Sequence, residues 1–160
     1  MADTTYTPQE ILNRVYDPTN NRLNTNAGYV LTAESTGSLN PVDATTYYFG
    51  SLFSLGANGT AATRRLYIPV SGTIKACTLY FNNGVVGSNE TSTASIRLNN
   101  TTDSTISAAV TNDSATTFFS NSALSIAVVA GDYIEIKWVA PTWVTNPTSV
   151  RIAANLYIQA

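Results

Sequence analysis

The sequence predicts an all-β fold, an antiparallel two-sheet sandwich with jelly-roll connectivity, led by a short N-terminal helix and an extended arm. Three observations predict it. From about residue 45 onward, short runs alternate Val, Ile, Leu and Tyr with Thr, Ser and Asn, the period of two expected of half-buried strands. Asn-, Gly- and Asp-containing turns separate eight or nine such runs, with almost no helical periodicity between them. Only 11% of residues are charged, against about 25% in an average soluble protein, so the outward strand positions are mostly Thr, Ser, Asn and Ala.

The arm comes first, spanning 1–45, with the sandwich domain at 46–160. Thr7-Pro8-Gln9-Glu10 has the form of a capping box, with Pro at the first helical position and Glu placed to reach back to the cap. Ile11, Leu12, Val15 and Tyr16 follow at helical spacing, which predicts a helix over about 7–16. A helix this short is marginal alone in water, so its apolar stripe must dock on something. Asp17-Pro18 and the Asn20-Asn21 pair stop it, and 22–46 is polar and irregular. Within that stretch Tyr29-Val30-Leu31 reads equally as part of an arm or as an edge strand.

The strands are expected at 48–55, 65–70, 73–81, 93–99, 104–111, one or two within 118–128, 133–139 and 150–158. Asn82-Asn83-Gly84 carries hairpin chemistry, and Asn99 to Asp103 joins its two strands tightly. Ala94, Ile96 and Leu98 are expected inward, as are Ile106, Ala108 and Val110. So are Ile134, Ile136 and Trp138, and the row Val150, Ile152, Ala154, Leu156, Ile158. In the turn at 129–132, Gly131 permits the bend and Asp132 bonds local amides.

The composition argues against several functions. There is no His, and Cys77, the one cysteine, lies in a strand-like run as a small buried hydrophobe. No carboxylates sit at metal-ligand spacing, so neither a metal nor a cofactor is expected, and Asp103, Asp113 and Glu90 read as solvated loop charges rather than a catalytic pair. An enzyme is not expected. A net charge of −2, with Arg64-Arg65 the only adjacent basic pair, excludes the patch that nucleic acid requires. No apolar run has the length of a membrane span, and Met1 to Glu10 lacks the form of a signal peptide, so no membrane partner is expected. Strands with few charges are poorly guarded against edge pairing, which predicts a homo-oligomer, with a trimer the leading choice.

Two segments resemble small structural proteins of tailed bacteriophages. Tyr6 to Pro18, followed by Asn21-Arg22-Leu23, is similar to the amphipathic starts of phage virion proteins. Ser125 to Ile136, two hydrophobic runs around Gly131-Asp132, is similar to an element near the end of many virion β-sandwiches. The resemblance implies a virion component made in the host cytoplasm. A short arm on one globular body favours a capsid decoration, or cement, protein that grips the major capsid protein and braces the shell. In that case Ile11, Leu12, Val15, Tyr16, Asn21, Arg22 and Leu23 would dock. The alternative is the adhesive tip of a fibre that recognises a host glycan. Trp143, in a loop, with Tyr47 and Tyr48, would then supply the stacking surface or an interface contact.

Overall fold

The computed structural model describes residues 16–17, 22–23, 28–35, 37–50, 64–87 and 91–160. Residues 7–15 of the expected helix lie outside them. Tyr16, its expected last residue, belongs to β1 (Tyr16–Asp17), which pairs antiparallel with β2 (Arg22–Leu23).

Ten further strands follow: β3 (Tyr29–Glu34), β4 (Thr46–Phe49), β5 (Leu66–Tyr67), β6 (Gly72–Asn82), β7 (Thr91–Leu98), β8 (Thr102–Thr111), β9 (Thr116–Asn121), β10 (Ile126–Val128), β11 (Tyr133–Val139) and β12 (Arg151–Gln159). They form two antiparallel sheets. One runs β10-β6-β12-β3, with β9 also on β6; the other runs β4-β11-β7-β8, with β5 also on β11. The segment at 29–34 is therefore an edge strand, held on β12 from Tyr29↔Ile158 to Glu34↔Ala153. The chain joins the body near Gly28 rather than at residue 46. A Cβ on Gly28 would clash with the Ile158 carbonyl oxygen, so only glycine fits at the entrance to β3.

The two inner faces share one core. Ile134, Ile136 and Trp138 of β11 are fully buried against Phe81 of β6 and the inward row of β12, from Val150 to Ile158. The Phe81 and Trp138 rings meet across the sheets with centroids 5.6 Å apart. Each such side chain contributes roughly 1.5–3 kcal/mol on leaving water. Alternation holds wherever the ladder is regular and fails where it slips. In β6 the pairing with β12 jumps from Ala76 to Ile74, leaving Lys75 unpaired, and so both Ile74 and Cys77 point inward. In β8 two register shifts against β7 turn Ala108 out to solvent, although Ile106 and Val110 are buried as expected.

Turns at 68–71, 99–101 and 129–132 form the lower end of the body; loops at 37–45, 83–87, 112–115 and 140–149 form the upper. Asn99 and Asn100 both take left-handed conformations (φ 48° and 57°), and the Thr101 amide closes the turn onto the Leu98 carbonyl at 3.0 Å. Asn82-Asn83-Gly84 makes no hairpin, because β6 and β7 lie in different sheets. Asn83 is instead buried at the crossing, where its side chain accepts from Asn112 (3.1 Å) and donates to the Ser114 carbonyl (2.8 Å).

Candidate functional site

Of the expected docking residues, Ile11, Leu12, Val15 and Asn21 lie outside the described residues, and Tyr16, Arg22 and Leu23 lie in the β1–β2 ladder. The three aromatic candidates do not form one surface. Trp143 is only 6% exposed and packs on Trp138, with centroids 5.9 Å apart. Its loop is tied down, since Asp43 accepts from the Trp143 amide (3.2 Å) and from the Asn146 side chain (3.0 Å). Tyr47 is equally buried on the other flank of Trp138, and its hydroxyl accepts from the Val42 amide at 2.8 Å. The structure thus corrects the expectation of a Trp143–Tyr47 stacking platform: both rings close the upper end of the core. Tyr48 points the opposite way, onto the outer face of β4, beneath the Arg97 guanidinium.

That outer face carries a cluster of charge. Arg65 lies over the Tyr133 ring at 4.2 Å, and Asp103 pairs with both Arg97 and Lys137. Glu135, opposite Arg97 in the ladder, is fully buried. Burial pushes its carboxyl above the usual glutamate range, while Arg65, Arg97 and Arg64 pull it back. Cys77 is sealed in the core, and burial pushes its thiol up to about 12, so it carries no thiolate chemistry near neutral pH.

Two surface features remain. At the lower end, Val70 and Val129 are exposed on the turns that link the two sheets, and Tyr67 is exposed at the adjoining end of β5. Those turns are rigidly held: Gly131 donates to the Ile68 carbonyl (2.9 Å), the Ala130 amide donates to Ser71 Oγ (3.0 Å), and Tyr29 Oη donates to the Val70 carbonyl (2.6 Å). Exposed valines also occur at the upper end, but the chain joins the body at the lower one, through Gly28 and Tyr29. The second feature is a groove of about 330 Å³ on the outer face of β3, β12 and β6, near their upper ends. Ala153 forms its floor, with Glu34 on one neighbouring strand and Tyr80 on the other, and Arg151 and Asn82 close it. None of these groove residues shows in the sequence as a motif, because they come together only across strands far apart in the chain.

No family model matches the chain, and no curated protein matches it. Among solved structures the chain is similar to one from a cyanophage Pam1 capsid asymmetric unit, at 18% identity and a TM-score of 0.35, over 81% of this chain and 85% of that one.

Proposed function

We propose that the protein is a structural component of a bacteriophage virion, a capsid decoration protein that binds the major capsid protein and reinforces the shell without catalysis. The observation that carries this proposal is the lower end. Exposed Val70 and Val129 sit on turns fixed by backbone hydrogen bonds, with exposed Tyr67 at the adjoining end of β5, at the end of the body where the leading segment joins. Exposed apolar side chains on a rigid frame cost little entropy to dock, and burying them stabilises attachment by removing apolar surface from water. The strand order supports reading the body as a jelly-roll sandwich, since β3-β12-β6-β9 faces β4-β11-β7-β8 and successive long strands repeatedly change sheets. Jelly rolls serve both capsids and lectins, so this support is by analogy of fold. Association as a trimer on the particle belongs to the same proposal.

The test is cosedimentation with capsids of the phage that encodes the chain, followed by electron microscopy of the decorated particles. Val70→Lys with Val129→Lys, and separately deletion of residues 1–25, should each abolish attachment while the purified variants melt as the intact chain does. Folded variants that decorate capsids as tightly as the intact protein would refute the assignment.

A further inference from the structure

The geometry points to the groove of Glu34, Tyr80, Asn82, Arg151 and Ala153 as a carbohydrate-binding site for neutral pyranose sugars. This goes beyond capsid attachment and uses the opposite end of the body.

The groove follows from the register. Ala153 is paired with Glu34 on one side and Tyr80 on the other, so a methyl group lies between two much larger side chains and leaves a trough across the sheet. Tyr80 is itself paired with Phe118 of β9, which is 65% exposed, and directly paired side chains lie about 5 Å apart. The trough is therefore flanked by two exposed aromatic side chains on neighbouring strands. Its volume, about 330 Å³, falls at the lower end of the range for small-ligand sites, about 300–1,000 Å³.

The polar groups around the trough are available. Among the described residues, the side chains of Glu34, Tyr80 and Arg151 make no hydrogen bond or ion pair, although an acid and a base line the same groove. Ser35 Oγ accepts from the Ile152 amide (2.9 Å), which leaves its own hydrogen to donate. The Asn82 side chain donates only a long bond, 3.4 Å, to the Ala115 carbonyl. The site thus combines an acceptor-only carboxylate, a donor-only guanidinium, and hydroxyl and amide groups that do both, beside an apolar ring face. One negative and one positive head give no net charge to attract an ion. A pyranose matches this set: its hydroxyls donate and accept around the rim, and its C–H face packs on an aromatic ring. Exposed Phe118, one strand further on, offers a second apolar face for a further residue of an oligosaccharide.

The test uses the full ¹⁵N-labelled chain titrated with the methyl glycosides of glucose, galactose, mannose and N-acetylglucosamine. At least one should give saturable amide shifts centred on Glu34, Tyr80, Arg151 and Ala153, with a Kd on the order of 1 mM. Ala153→Leu fills the floor from the solvent side and should abolish those shifts. Tyr80→Ala should weaken binding about tenfold or more, and Glu34→Gln should weaken it too, with melting temperatures checked for each. If Tyr80→Ala does not fold, Ala153→Leu decides. Absence of saturable shifts with all four glycosides, shifts centred elsewhere, or undiminished binding by folded Ala153→Leu would each overturn the assignment.

Discussion

Ser92 is a small side chain on which two buried groups depend. Its hydroxyl accepts from Trp138 Nε1 at 2.6 Å and donates to the Val110 carbonyl at 3.0 Å, joining β11, β7 and β8 through one oxygen. Ser92→Ala leaves an indole N–H and a carbonyl without partners in a dry core, and should cost roughly 1–3 kcal/mol in urea denaturation. A loss below about 0.5 kcal/mol, the scatter of neutral surface changes, would mean the two groups find other partners. Glu135 presents the opposite case, a charge the fold tolerates at a cost. Because burial raises its native pKa, the protonated acid is favoured in the folded state. The wild type is therefore relatively most stable in acid and loses stability as pH rises from the unfolded glutamate range through the raised native value. Glu135→Gln removes that dependence. The variant's gain in denaturation midpoint should open as pH rises above the unfolded glutamate value of about 4.3 and vanish in acid. A gain that is constant with pH, or that grows in acid, would show that the Arg neighbours outweigh burial.

At the scale of elements, the lower turns behave as one clip. Asn99 Nδ2 donates to Asp132 Oδ1 (2.9 Å), the Tyr133 amide donates to Asn99 Oδ1 (3.0 Å), and Asp132 Oδ2 accepts from the Val129 amide (2.8 Å). The Asn99 side chain and the Val129 amide hold the Asp132 carboxyl below the usual aspartate range. Asn99→Ala breaks two bonds and places a Cβ-bearing residue without a compensating amide at φ 48°, so it should cost roughly 2 kcal/mol. The contribution of Asp132 is present above the unfolded aspartate pKa and is lost as pH falls through its lowered native value. The deficit of Asn99→Ala, measured by urea titration, should accordingly shrink in strong acid; a deficit that widens there would refute the clip. The role of Asp132 was legible in sequence because it is local, lying within four residues of the amide it caps. The inward rows of β11 and β12 were legible for a similar reason, since a period of two needs no knowledge of the partner strand. Ala108 was not, because a bulge is decided by the pairing of β8 with β7. Nor was the fate of Asn82-Asn83-Gly84, whose turn chemistry is the same whether the chain returns to its own sheet or crosses to the other. Nor was the burial of Trp143, because what seats its ring on Trp138 includes long-range bonds from its loop to Asp43, 100 residues away in the chain.

On the scale of the whole molecule, the body has a lengthwise polarity. All three strands beneath the groove reach their upper ends there: Glu34 closes β3, Asn82 closes β6 and Arg151 opens β12. The leading segment joins at the other end, beside Val70 and Val129. From Gly72 to Tyr80 a strand advances about 26 Å, well beyond the roughly 10 Å within which substitutions commonly influence one another. The two surfaces should therefore fail independently. Deleting residues 1–25 should abolish capsid attachment and leave the amide shifts induced by the methyl glycosides unchanged. Ala153→Leu should do the reverse, abolishing the shifts while the protein still cosediments with capsids. A planted base with a free upper groove predicts this crossed pattern, because the sugar site then faces away from the shell. If either variant lost both activities while remaining folded by near-UV circular dichroism, the two surfaces would have to be coupled. The picture of one end for attachment and the other for sugar would then be wrong, whichever activity proved real.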